Sequence, residues 1–283
     1  MLFSKHRLKT LTTPVVLIGT LVFSACSNLL AQTTTALATK TITLAADEWC
    51  PYNCAEDDKA KPGYMIEIAQ AVFSKAGYTV TYHTMAFQRA MQEILNGTLT
   101  GAVCIDTPTA TEAETLFQKT NGKPAHFIQT EPMGLPSVSI FTASSNTWTF
   151  DPANPEASLK TLGGKVGIPQ GYSLDLTPTL QKMGLLVEIS GDAPLQQLLK
   201  MLNSGRVAAI MDDAAVINYE AAQIGLADKI RLAGNTEQPL ACSIGFNATH
   251  PEYAELLNKG MAELRASGEL AKILQRYNVK DWK

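Results

Sequence analysis

Beyond its N-terminal segment the chain has no long uncharged apolar run, so nothing in the remainder reads as a membrane span. Charge is sparse as well: 17% of residues are Asp, Glu, Lys or Arg and the net charge is -3 at pH 7. Nucleic acid therefore finds no basic footprint. The four histidines are scattered, which leaves no histidine-based metal cluster. No low-complexity segment and no block of like charge interrupts the chain, and no catalytic constellation stands out. What is present is ordinary for a globular α/β protein: 283 residues, 46% hydrophobic, enough for one or two cores.

The N-terminus carries an export signal. Lys5, Arg7 and Lys9 precede the apolar stretch 14–25, the charged and hydrophobic regions of a secretory leader, too short to span a bilayer comfortably. Two cleavage patterns are open. Residues 22–26 (VFSAC) resemble a bacterial lipobox with Phe23 in an unusual place, and cleavage before Cys26 leaves a lipid-anchored protein with a leader of 1–25. Cleavage after Ala31 or Ala38 leaves a free one. Either way the protein is expected outside the cytoplasm, in the periplasm, anchored through Cys26 in the first case. Removing or lipidating Cys26 leaves Cys50, Cys54, Cys104 and Cys242, an even number that favours disulfides in an oxidising compartment. Cys50 and Cys54 are close enough in sequence to staple a loop. Cys104 and Cys242 lie in apolar strand-like runs and are open to two readings, a bridge or two buried thiols.

One unit occurs twice. Residues 90–106 (AMQEILNGTLTGAVCID) and 195–219 (LQQLLKMLNSGRVAAIMDDAAVINY) each run from an amphipathic helix through a Gly to a short apolar strand with a polar end. Aligning Gly97 with Gly205 superposes 102–105 on 210–213, as expected of two lobes built on one plan. The rest fits that plan. Strands are expected at 41–45, 78–83 and 101–105, with helices at 64–76 and 87–96 between them, a β-α-β-α-β series. Residues 107–123 read as polar and irregular. A strand at 135–142 leaves this series, and 146–158 reads as a surface connection. A second series follows: strands 165–168, 185–189, 207–211 and 230–232, with helices within 171–183, at 194–202 and at 214–224. A last strand at 241–246 and a helical region at 251–277, broken at Gly268, have no partner in the second series. Their return to the first lobe makes two chain crossings, near 131–139 and 238–243, hence a hinge and an interlobe cleft. The lobes are expected at 40–134 and 135–238, with 239–283 returning to the first.

Four segments carry a family resemblance: 45–51 with 62–68 (PGYMIEI), 87–90 (FQRA) through Gly97 and Gly101, 162–167 (LGGKVG) through Gly171 and Tyr172, and 244–277 with its GELAKI ending. In this order and spacing the chain from about residue 41 resembles solute-binding protein family 3, the type II periplasmic binding proteins typified by polar amino-acid receptors of ABC importers. The resemblance implies an α/β fold of two lobes, each a mostly parallel sheet flanked by helices, joined by two hinge strands. It implies a monomer that closes on a small solute without breaking a bond, uses no metal or cofactor, and meets the membrane permease of an importer or a sensor kinase.

The site implied lies in the first ligand loop and at the strand ends. Trp49 and Tyr52 would stack on the solute, with Glu48 beside them. Gln170 and Tyr172 precede a helix whose free N–H groups suit an anionic group. Arg89 would reach in from its helix and Asp106 from the end of the third strand. Asp213 falls where amino-acid-binding relatives place the acid that holds the ligand ammonium, with Asp212 as its alternate. One departure weighs against an ordinary amino acid. Relatives hold the ligand carboxylate with an Arg after the third strand, and 106–120 (DTPTATEAETLFQKT) contains none. The expected function is therefore capture of a small polar or amine-bearing solute for import. A signalling partner on the same fold is the alternative, and a dehydratase-type enzyme using Glu48, Asp106 or Asp213 is a more distant one.

Overall fold

The computed structural model describes residues 40–58 and 60–283. The export signal read at 1–31, with Cys26, lies outside the described residues. The first sheet opens with β1 (Lys40–Ala46), β2 (Tyr78–Thr84) and β3 (Gly101–Ile105), connected by α1 (Tyr64–Lys75) and α2 (Phe87–Leu95). β1 pairs parallel with both β2 and β3, which the intervening helices permit because a parallel crossover needs a long connection. In α1, Tyr64, Met65, Ile68, Ala69, Val72 and Phe73 are buried. Each large apolar side chain so covered contributes about 1.5–3 kcal/mol of burial.

Residues 107–123 are not irregular. They form α3 (Thr107–Asn121), capped at its start by Asp106, whose carboxylate accepts from Thr109 N–H, and at its end by left-handed Gly122. Only Thr109, Ala110 and Phe117 of this helix are buried. Its near lack of an apolar stripe erased the periodic signal, while the two caps and Pro108 in the first turn define its ends. A short strand, β4 (Phe127–Gln129), also escaped the sequence pattern.

The chain then crosses into the second sheet through β5 (Ser137–Ala143). There follow α4 (Pro155–Thr161), β6 (Val166–Pro169), α5 (Thr177–Lys182), β7 (Leu186–Ile189), α6 (Pro194–Asn203), β8 (Ala209–Asp213), α7 (Ala214–Gln223) and β9 (Ile230–Pro239). β9 is longer than the three residues expected because it runs along β5 to the second crossing. β10 (Ser243–Asn247) returns to the first sheet between β3 and β4, followed by α8 (Pro251–Ala266) and α9 (Glu269–Arg276), which meet at left-handed Gly268. α8 fits tightly on α1: a Cβ on Gly260 would lie 2.3 Å from Val72. α9 is tied to α1 by the Arg276–Glu67 ion pair and by Tyr277, whose hydroxyl donates to Glu67.

The strand orders β2-β1-β3-β10-β4 and β7-β6-β8-β5-β9 are the same plan written twice. In each, the fourth strand is antiparallel and is supplied by a crossing segment. Ala102 pairs with Ala45 in the first sheet as Ile210 pairs with Gly167 in the second, the equivalence that aligning Gly97 with Gly205 predicts. Both glycines take positive φ, 83° and 72°. The two crossings lie side by side as a narrow ribbon, with Met133 N–H on Cys242 O at 2.7 Å and Leu240 N–H on Pro136 O at 2.8 Å. The result is two mixed five-stranded sheets, each flanked by helices, in the two-lobed architecture expected.

Candidate functional site

Residues at or just beyond the C-terminal ends of β1, β3, β6 and β8 line one narrow interlobe cavity of about 40 Å³. That is where open α/β sheets place ligands, because the strand ends and helix N-termini diverge there. Asp47 and Trp49 enter from the loop after β1, Asp106 from the end of β3, Tyr172 from the turn after β6, and Asp212 and Asp213 from β8. Phe87, Val138, Leu174 and the Cys104–Cys242 pair complete much of the apolar wall.

The loop after β1 is cross-linked on itself and braced on α1. Cys50 and Cys54 form a disulfide, the Cys50–Pro51 peptide is cis, and Trp49 and Asn53 bridge across the turn. The loop in turn supplies the missing acceptors at the start of α1: Pro51 O takes Tyr64 N–H and Tyr52 O takes Met65 N–H, both at 3.0 Å. Gly63, φ 105°, lies so close that a Cβ there would sit 2.4 Å from Asn53 Cα. Tyr52 stacks on Trp49 with centroids 4.2 Å apart and packs beneath hinge residue Gly134. It supports the site rather than lining it. The second disulfide, Cys104–Cys242, ties β3 to the second crossing, so of the two readings of these cysteines the bridge is the one found.

The lobes are closed on each other. The Tyr172 hydroxyl donates to both Asp47 carboxylate oxygens at 3.2 Å, and the Trp49 indole N–H donates to Asp212 Oδ1 at 2.7 Å. Glu48 N–H reaches Asp192 O at 2.8 Å, and Phe87 meets Tyr172 edge-on with centroids 5.2 Å apart.

The electrostatics of this closure are one-sided. Asp47 is 2% exposed and Asp212 1%. Burial, then the facing Asp212, drives the Asp47 pKa well above the usual carboxylate range, partly offset by the Tyr172 hydroxyl. Burial also pushes Asp212 up to about 7, with Asp213 and Glu220 adding repulsion and the bonds from Asp213 N–H and Trp49 opposing it. Asp212 Oδ2 is buried with no hydrogen-bond partner. Asp213 is also raised by burial, yet its oxygens are used: Oδ1 accepts from Ala215 and Val216 N–H at the start of α7, and Oδ2 from Ser137 N–H. Behind the cavity, Glu220 on α7 is raised to about 7 by burial, and its Oε1 lacks a partner. No lining residue is Lys, Arg or His. Among the described residues no three Asp, Glu, His or Cys side chains are grouped to hold a metal ion.

Of the eight residues expected from the sequence, Trp49, Asp106, Tyr172 and Asp213 line the cavity. Glu48, Tyr52, Arg89 and Gln170 do not. Arg89 is exposed and paired with Glu93 one turn along α2, while Gln170 is exposed beyond β6. Asp47 and Phe87, which the sequence pattern does not single out, also line the cavity, as does Asp212, the alternate to Asp213. Asp47 carried a signal: it follows β1 as Asp106 follows β3.

The fold is the one shared by two-lobed periplasmic binding proteins. No family model and no curated protein matches the sequence, but solved structures match it over most of its length. An ancestral arginine-binding protein bound to arginine is 20% identical, with TM-score 0.66, covering 84% of this chain and 97% of its own. A histidine kinase sensor domain with similarity to periplasmic binding proteins is 17% identical, with TM-score 0.66 and coverages of 84% and 95%. A periplasmic binding protein of Salmonella typhimurium with high arginine specificity is 16% identical, with TM-score 0.63 and coverages of 84% and 99%. These neighbours are binding proteins and a sensor domain rather than enzymes. Among the described residues no helix is long and apolar enough to cross a membrane.

Proposed function

We propose that this chain is an exported solute-binding protein that captures a small amine-bearing solute between its lobes and delivers it to the permease of an ABC-type importer. The observation that supports it best is the buried, acid-lined interlobe cavity with aromatic walls. A cation there meets carboxylates already stripped of water, where charge-assisted bonds are strong, and the rings of Trp49, Phe87 and Tyr172 stand in the walls. Asp47, Asp106, Asp212 and Asp213 are the proposed charged contacts. In the first lobe 40–134, the second 135–238 and the return 239–283, only the crossing ribbon has to flex for solute entry. The proposed leader, 1–31 or 1–25 if Cys26 is lipidated, would direct the protein to the periplasm; lipidation at Cys26 is tested by palmitate labelling, which Cys26→Ala abolishes if the anchor is there.

A thermal-shift screen of the exported protein tests the function, since a ligand of the native state raises the melting temperature by mass action. Amines or guanidinium compounds are expected to raise it. Stabilisation by anionic or neutral solutes alone refutes the reading. A second reading, ligand sensing for a membrane kinase, is favoured by the sensor-domain neighbour and shares the same site. Co-purification with a kinase ectodomain instead of a permease selects it.

A further inference from the structure

Resting on the amine-solute reading, we propose that the cleft is built for a small organic cation that carries no carboxylate, an amine or guanidinium compound held between Asp47 of the first lobe and Asp212 of the second. Three independent features lead there. First, a ligand carboxylate has no cationic side chain to meet, because no lining residue is basic and Arg89 is turned out onto Glu93.

Second, at the starts of α3 and α7, which open on the cleft and are another means of holding an anion, the chain's own carboxylates take N–H groups. At α3 the Asp106 carboxylate takes Thr109 N–H, the Asp106 carbonyl takes Ala110 N–H, and Pro108 has no N–H to offer. At α7 the Asp213 carboxylate takes Ala215 and Val216 N–H and also Ser137 N–H from the crossing strand. The chain places its own carboxylates where an amino acid would place its own. An incoming carboxylate would face Asp106 or Asp213 at the donors it needs, a repulsion built against zwitterions.

Third, the opposite pole has an unmet acceptor. Asp212 lines the cavity, and its Oδ2 is buried with no hydrogen-bond partner. Asp47 stands across the cleft, with the Tyr172 hydroxyl on its carboxylate. A cation between them compensates the charge of two acids that burial and their mutual repulsion otherwise hold toward the protonated form.

Matched pairs that differ by one carboxylate test this: agmatine against arginine, putrescine against ornithine, and cadaverine against lysine, titrated calorimetrically into the purified exported protein. At least one decarboxylated member is expected to bind about a hundredfold or more tighter than its parent, the penalty of leaving a buried charge uncompensated. Equal or tighter binding of the parent amino acid overturns this inference while leaving the amine-solute reading intact. Binding of none of the six, with stabilisation only by anions, overturns both. Asp212→Asn keeps the size of the side chain and an oxygen for the Trp49 indole. It is expected to weaken the bound amine at least about tenfold with an unchanged circular dichroism spectrum, and undiminished binding by this folded variant overturns the placement at Asp212.

Discussion

The Asp212→Asn substitution also tests the electrostatic account of the closed cleft without any ligand. In the closed lobes burial, with Asp213 and Glu220 nearby, raises Asp212 from 3.8 to about 7, while in the unfolded chain it titrates normally. Between those values the native state holds a proton that the unfolded state has lost, so stability falls as pH rises through this window and levels off above about 7. From about pH 5 to about pH 8 this one group removes on the order of 2–3 kcal/mol. For a domain of this size that is about 5–10 °C in melting temperature. Asp47, Glu48, Asp213 and Glu220, all raised by burial, add slopes of the same sign, and the neighbouring Tyr52 and Tyr172 stay neutral throughout because burial raises them further. Asparagine does not titrate, so the variant should lose the Asp212 share of the slope. Its absolute stability is shifted by a pH-independent amount, since the amide N–H₂ replaces an unpartnered oxygen. The measurement is melting temperature against pH, in parallel for both proteins. If the two curves run parallel between about pH 5 and 8, Asp212 is ionised without penalty in the native state, and the account of the cleft as an uncompensated acid pair is refuted.

Three further outcomes follow from the geometry. Tyr172→Phe removes the hydroxyl that joins Asp47 to the second lobe, and is expected to weaken amine binding about five- to tenfold by calorimetry, with little change in fold. Gly63→Ala forces a Cβ into the backbone of Asn53 at a positive φ, and is expected to cost about 1–3 kcal/mol, read as a lowered melting temperature; an unchanged one means that the loop after β1 is not braced on α1 as described. Arg89→Ala, on an exposed helix face, is expected to change stability by no more than about 0.5 kcal/mol and leave amine affinity within about twofold. A large loss of affinity would place Arg89 in the cleft after all.

Much of the architecture was legible because it rests on local signals. The periodic apolar faces of α1, α2 and α6, and Gly97 and Gly205 after the helices, are sequence-local, and their repetition announced two lobes before any contact was known. α3 was illegible for the converse reason. With few buried positions it is stabilised by Asp106 and Gly122 at its ends and by polar side chains that bond back to its own turns, such as Thr111 on Thr107 O, features that a hydrophobic pattern does not register. β4 is three residues long, shorter than any periodicity can show.

The site divides the same way. From the sequence alone came the missing arginine after β3, the acids at the end of β8 and Trp49 in a stapled loop, because each is a matter of residue type at a strand end. Which acid is left with an unpartnered oxygen, and which is consumed as a helix cap, depended on where β5 runs beside β8 and how closely the second lobe approaches the first. Asp213 is bonded by the crossing strand and its own helix, whereas Asp212 meets Trp49 from a loop far away in sequence. The sequence by itself set acids, and no arginine, at these strand ends. Only the tertiary structure buried Asp47 and Asp212 on opposite lobes and turned the carboxylates of Asp106 and Asp213 onto the starts of α3 and α7.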